Sequence, residues 1–248
     1  MSTSPPPVYL VLGAAGGIGS ALARRLAAGG ARLVLAGRTA APLDALAAEL
    51  GATTVVGDAT RFDDVDRAVA TTVERHGRLD GAANCVGSLL LKPAHLTRAE
   101  EFAETVAQNL TSAFAVVRSA ARAMLETGGG SVVLVSSAAA RVGLANHEAI
   151  AAAKAGVIGL AASAAATYAA KHVRVNAVAP GLVRTGLTRR ITGSAAGEQS
   201  SLAMHALGRL GEPDDVASLI AWLLAPEQRW VTGQVYGVDG GLATVRAR

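Results

Sequence analysis

The densest chemistry in the sequence is a glycine loop, Gly13-Ala14-Ala15-Gly16-Gly17-Ile18-Gly19, entered from an apolar run, Val8–Leu12, and left through a helical pattern. Glycines permit a tight turn and close backbone approach, and a helix N-terminus offers free N–H groups and a positive dipole end to a pyrophosphate. Gly13, Ala15, Gly17, Ile18 and Gly19 are therefore expected to hold a dinucleotide, with a bare turn as the alternative. A second apolar run ends in Leu35-Ala36-Gly37-Arg38. In a dinucleotide fold the residue about 20 positions beyond the loop meets the ribose. An acid there accepts from a free 2′-hydroxyl and repels a 2′-phosphate. Gly37 takes that position instead, and Arg38 offers a planar donor fork to a phosphate. NADP(H) is favoured; the alternative is NAD(H), with Arg38 stacking on the adenine. Further along, His147 is titratable near neutral pH. Arg184, Arg189, Arg190 and His205 hint at an anionic substrate, against the plainer reading that basic loop residues are solvated. Cys85 is expected to be a small packed residue, because a reactive thiol needs an electropositive, exposed setting.

The elements that must position these groups alternate along the chain. Apolar bursts at Val8–Leu12, Arg32–Ala36, Thr53–Val56, Leu79–Ala83, Ser131–Val135, Val173–Val178 and Gln234–Val238 are separated by helical patterns near Ile18–Ala28, Pro42–Leu50, Asp63–His76, Ala99–Leu125, Glu148–Ala170 and Pro213–Leu224. Such alternation predicts a parallel sheet covered on both faces, and the absence of polar alternation within the strands agrees. The expected architecture is α/β: one doubly wound, Rossmann-type domain over residues 1–248 with about seven strands. Residues 1–7 are expected to be a flexible N-terminus, and the irregular, Gly-, Ser-, Thr- and Arg-rich stretch 184–207 a substrate lid.

Composition narrows the classes. The 248 residues are 51% apolar but only 3% aromatic, with a net charge of +4 from scattered residues. That is too apolar for intrinsic disorder. It also lacks the aromatic platforms of single-strand nucleic-acid binding, so no nucleic-acid partner is expected. One cysteine excludes a disulfide scaffold and a cysteine-rich zinc site, and no metal is expected. Met1–Ala23 carries no charge, but prolines and glycines interrupt it, so neither a signal peptide nor a membrane span is predicted and the cytoplasm is the expected compartment. Ala155–Ala170 spans 16 residues without a charge. A helix apolar on nearly every face suggests a contact beyond one domain, hence a homo-oligomer, dimer or tetramer, with an Ala-rich helix tolerated at the surface as the alternative.

The spacing Gly-x-x-x-Gly-x-Gly at 13–19 resembles that of the short-chain dehydrogenase/reductase family, with Leu12 where the family usually has Thr. The resemblance runs in order from Val8 to Leu242. Asp58 follows the third strand, where it implies an adenine contact. Asn84-Cys85-Val86-Gly87 is similar to the family's Asn-Asn-Ala-Gly, and Asn109 falls at its helix asparagine. Pro180-Gly181 with Thr185 resembles the segment closing over the nicotinamide, and Gly211-Glu212-Pro213, Val231-Thr232-Gly233-Gln234 and Val238-Asp239-Gly240-Gly241 resemble its C-terminal signature.

The resemblance also implies a site with one member exchanged. The family places Tyr thirteen residues after Ser and Lys four after that; here Ser137 and Lys154 are in register and Ile150 stands where the tyrosine is expected. In the family the phenol moves the proton, lysine lowers its pKa and holds the nicotinamide ribose, and serine bonds the substrate oxygen. Isoleucine does neither half of a proton transfer. Several readings follow. Hydride transfer survives with another proton source, His147 first, because seven residues from Lys154 it shares a helix face about 10.5 Å away along the axis. Enoyl reductases similar to this family also displace their tyrosine, so C=C reduction stands beside carbonyl chemistry. Alternatively, Asn146 is the helix N-cap, Glu148 suits the first turn and His147 is an ordinary helix-start residue. A cofactor-binding sensor or inactive partner subunit, and an isomerase or dehydratase without net redox, complete the set. Asn109 is expected to organise a water chain to Lys154. Tyr9, Tyr168 and Tyr236 are poor replacements by position.

Overall fold

The computed structural model describes residues 5–246. Strand β1 (Val8–Leu12) leads through the glycine loop to helix α1 (Gly17–Ala28), followed by β2 (Arg32–Gly37), α2 (Ala40–Leu50), β3 (Thr53–Val56), α3 (Phe62–His76) and β4 (Gly81–Asn84). The second half runs α4 (Ala99–Val106), α5 (Ser112–Thr127), β5 (Gly130–Val135), α6 (Glu148–Tyr168), β6 (Val173–Pro180), α7 (Arg189–Thr192), α8 (Ala195–Met204), α9 (Pro213–Leu224) and β7 (Val235–Val238). All seven strands are parallel, in the order β3-β2-β1-β4-β5-β6-β7. The order reverses between β1 and β4, so the loops after these two strands open a crevice at their C-terminal ends. The expected doubly wound sheet is the observed one.

Two aliphatic layers sandwich the sheet. On one face α3, α5 and α6 pack Val65, Val116, Met124, Val157 and Ala161 against Leu10, Val132 and Val175. On the other, α1, α2 and α9 pack Leu22, Leu43 and Ile220 against Val11, Leu35 and Val133. The low aromatic content is affordable because Ala, Val and Leu fill these layers with few rotamers to fix. By length and composition α6 is apolar enough to cross a membrane. In the fold it is a core helix whose inner face carries Ile150, Lys154, Val157 and Ala161. Its outward positions Ala152, Ala155, Gly159, Ala162 and Ala166 are exposed.

Three local expectations are corrected. The helix expected over Ala99–Leu125 is interrupted by a π turn at Ala107–Thr111. There the Asn109 side chain donates to Thr105 O at 2.9 Å and Ser112 Oγ to Gln108 O at 2.8 Å, so side chains take up carbonyls that the wider turn releases. Asn146 is not the N-cap of α6. It adopts a left-handed φ of 63°, which asparagine tolerates, and His147 occupies the cap position without a side-chain capping bond. The stretch 184–207 is not irregular throughout, since α7 and α8 lie within it and Ser194 caps α8 by accepting from the Gly197 N–H. Of the segment 1–7, residues 1–4 lie outside the described residues, while the Pro7 carbonyl accepts from Arg32 N–H and ties the chain to β2.

Candidate active site

Two cavities open along the crevice and meet at Cys85, Val86 and Gly87, just after β4. The first, about 340 Å³, is lined by Gly13, Ala15, Arg38 and Asp58 of the expected set, together with Asp64 and Gln108, which the sequence reading missed. Gly13 has a φ of +73°, and a Cβ there would stand 2.8 Å from the Cys85 backbone, so only glycine allows β1 and β4 to approach this closely. Helix α1 begins beside this cavity with no side-chain cap, which leaves its first amides for an anion. Arg38 is exposed and, among the described residues, makes no side-chain hydrogen bond or ion pair, whereas Asp58 is held by Thr60, whose N–H and hydroxyl both donate to Oδ1 at 2.9 Å. The residues of this cavity thus fit a dinucleotide: uncapped amides, a close glycine turn and an uncommitted guanidinium.

The second cavity, about 480 Å³, brings together Ser137, His147, Ile150, Lys154 and Asn109 with Ile18, Gly87, Pro180, Gly181 and Thr185. Lys154 is 6% exposed and donates to Val135 O at 2.7 Å. Desolvation lowers its pKa from 10.5 to about 8, and the nearby Cys85 offsets this only in part. The Cys85 thiol, which borders both cavities, is itself pushed up to about 12 by burial. A Cβ placed on Gly87 would lie 2.9 Å from Asn109 Oδ1 and 3.5 Å from Lys154 Nζ, so both polar groups converge on one spot. Ser137 Oγ accepts from the Ala139 N–H at 3.1 Å, which leaves its own proton to donate. His147 Nδ1 lies 2.7 Å from Ala145 O, leaving Nε2 without a partner among the described residues. Ile150 is 3% exposed, one turn before Lys154 on the same inner face of α6.

Not every expected residue reaches these cavities. Asn84 is buried and lines neither one: its Nδ2 donates to Ser112 Oγ at 3.2 Å and its Oδ1 accepts from Val86 N–H at 3.2 Å, so it shapes the turn that presents Cys85–Gly87. Gly17 and Gly19 lie at the start of α1, Gly17 against the Thr185 side chain. Two basic groups of the segment 184–207 are also less available than their charge suggests, whereas Arg189 and Arg190 are exposed. Arg184 pairs with Glu198 and with Glu212, and His205, 3% exposed, accepts from Leu182 N–H at one ring nitrogen and meets Ser201 O at the other. Tyr9 is a core residue of β1 whose burial raises its pKa to about 12, and Tyr236 of β7 stacks edge-on to Trp222; neither lines the cavity.

A family model described as Enoyl-(Acyl carrier protein) reductase matches residues 13–243. The chain belongs to the short-chain dehydrogenase/reductase family. Among its relatives, a 3-oxoacyl-(acyl-carrier-protein) reductase of Thermotoga maritima is 35% identical over 242 residues, covering 95% of this chain and 97% of that one. An L-rhamnose 1-dehydrogenase (NAD(P)(+)) of Azotobacter vinelandii is 37% identical, covering 94% and 95%. A short-chain type dehydrogenase/reductase from Mycobacterium ulcerans superposes with a TM-score of 0.93 at 36% identity, over 97% of this chain and 91% of that one. As a short-chain dehydrogenase/reductase, the chain is an NAD(P)-dependent oxidoreductase.

Proposed function

We propose that this protein is an NADP(H)-dependent reductase or dehydrogenase that moves hydride between nicotinamide and a carbonyl/alcohol or conjugated enoyl substrate, with His147 supplying the proton that the family's tyrosine would. The observation that carries this reading is the grouping of Ser137, His147 and Lys154 in one cavity that opens into the glycine-loop crevice. Bound NADP(H) supplies the hydride. The α1 amides and the loop at Gly13–Gly19 hold the pyrophosphate, Asp58 borders the adenine, and Gly87, Pro180, Gly181 and Thr185 frame the nicotinamide end. Lys154 orients the ribose, Asn109 orders the water between itself and Lys154, and Ser137 donates to the reacting oxygen. His147 Nε2, at the mouth of α6, protonates the substrate directly or through one water.

Arg38 supports NADP(H) over NAD(H), because a guanidinium with no partner among the described residues is free to form a charge-assisted fork with a 2′-phosphate. Replacing Arg38 with Ala is expected to raise the KM for NADPH roughly 10- to 100-fold and leave that for NADH nearly unchanged. Initial rates with both cofactors check this, and an equal effect on the two assigns Arg38 to the adenine instead.

His147→Gln tests the proton route. Turnover is expected to fall roughly 100-fold or more, with cofactor affinity unchanged. Wild-type activity in the variant excludes the role. A second reading is favoured by Ile150, which places an apolar side chain in the cavity and suits a sensor that binds cofactor without turning it over. Tight NADPH binding with no turnover on ketones, alcohols and enoyl thioesters selects it. The exposed small-residue face of α6 supports self-association, as a dimer or tetramer.

A further inference from the structure

The walls of the second cavity define a narrower substrate class than the reaction alone. Leu89 and Leu91 enter from the segment after β4, Leu144 from the segment before α6, and Leu187, Ile191 and Met204 from the lid. Three of these stay open to solvent: Leu91 is 41% exposed, Leu187 53% and Met204 42%. Large apolar side chains left uncovered around a concave apolar site mark a surface that a ligand covers.

The polar groups of the cavity are mostly committed within the protein. Ser136 Oγ donates to Lys154 O, Ser201 Oγ to Gly197 O and Thr188 Oγ1 to Val183 O; both His205 ring nitrogens are engaged, and the Asn109 amide is shared between Ser88 and Thr105. Among the described residues, Ser137, Lys154, His147 and Ser88 keep bonding capacity, as does the exposed Ser200 of α8. No Asp, Glu or Arg is among the described residues lining this cavity. A buried hydroxyl or charge without a partner costs far more than a methylene gains. A polyol would bury several hydroxyls against leucine, and a carboxylate along the chain would meet no cation.

We infer that the substrate is a neutral aliphatic chain carrying a single carbonyl, with or without a conjugated double bond, whose polar end meets Ser137 and whose hydrocarbon tail runs outward along Leu89, Leu144 and the lid. The inference rests on the function proposed above. Arg184 and His205, basic in sequence, do not oppose it, because Glu198, Glu212 and backbone groups already occupy them.

The test is calorimetric titration of the protein, alone and with NADPH, against methyl ketones from butanone to decanone and their conjugated enones, with a hexitol and a methyl-ketone oxo acid carrying its carboxylate at the far end of the chain as comparators. Affinity is expected to tighten by about fourfold per added methylene until the cavity is filled. The Leu187→Asn variant, on the exposed lid, should weaken the long ketones at least tenfold and leave butanone unchanged. A flat series, or tighter binding of the hexitol or the oxo acid, overturns the inference. Chain-length-dependent binding with no NADPH oxidation upholds this substrate class and overturns the proposed reaction, whereas turnover without chain-length dependence does the reverse.

Discussion

Replacing Lys154 with methionine is expected to lower turnover by roughly two to four orders of magnitude while raising the thermal stability of the cofactor-free protein below pH 8. Among the described residues, the ammonium, 6% exposed, has one hydrogen bond, to Val135 O, and no carboxylate lines its cavity. Burial therefore holds its pKa at about 8 rather than 10.5. Between those two values the unfolded chain binds a proton that the folded chain does not, so stability rises with pH across that window. Below pH 8 both states are protonated and the full penalty applies, on the order of 3 kcal/mol at 1.36 kcal/mol per unit. Methionine keeps much of the volume and removes the charge, but it leaves Val135 O unpaired, which offsets about half of the gain. A melting temperature several degrees above wild type at pH 7 is expected, with the gap closing by pH 10. A variant less stable than wild type at pH 7 would show that other groups satisfy the ammonium.

The second large effect belongs to the loop. A Cβ on Gly19 would stand 2.2 Å from Gly13 O and 2.9 Å from Ala14 Cα, both backbone atoms that no side-chain rotation relieves. Gly13 cannot yield, since its φ of +73° is what lets the turn close on Cys85. Gly19→Ala must therefore push the N-terminus of α1 away from the loop and misaim the amides that face the pyrophosphate. NADPH affinity is expected to fall by roughly 100-fold or more, with a stability loss of about 1–3 kcal/mol. Titration of NADPH fluorescence reads the first and denaturant melts the second; unchanged affinity would detach the loop from cofactor binding.

Much of this was legible from residue types. The β1 run, the glycines after it and the helical pattern beyond place the crevice, and the 3.6-residue period puts His147, Ile150 and Lys154 on one side of α6. The π turn was hidden because the apolar period of Ala99–Leu125 passes through it, and only the side chains of Asn109 and Ser112, bonding back to carbonyls, record the extra residue. Asn146 misled because the same short amide suits both an N-cap and a left-handed turn, and local sequence does not choose between them. The pairing of Arg184 was not legible because its partner Glu198 lies fourteen residues on, in the first turn of α8. The apolar walls were missed for a related reason: their leucines arrive from separate segments, and no single window shows them facing one another.

The central claim is hydride transfer by a chain with isoleucine at the tyrosine position. It is tested most directly by a single-turnover reaction of the protein with NADPH deuterated at the transferring C4 position and a long-chain conjugated enone or methyl ketone, with mass analysis of the product. Deuterium is predicted in the product with wild-type protein, at a rate strongly reduced in His147→Gln. NADPH bound tightly but recovered with its deuterium intact, and no labelled product, would contradict the account.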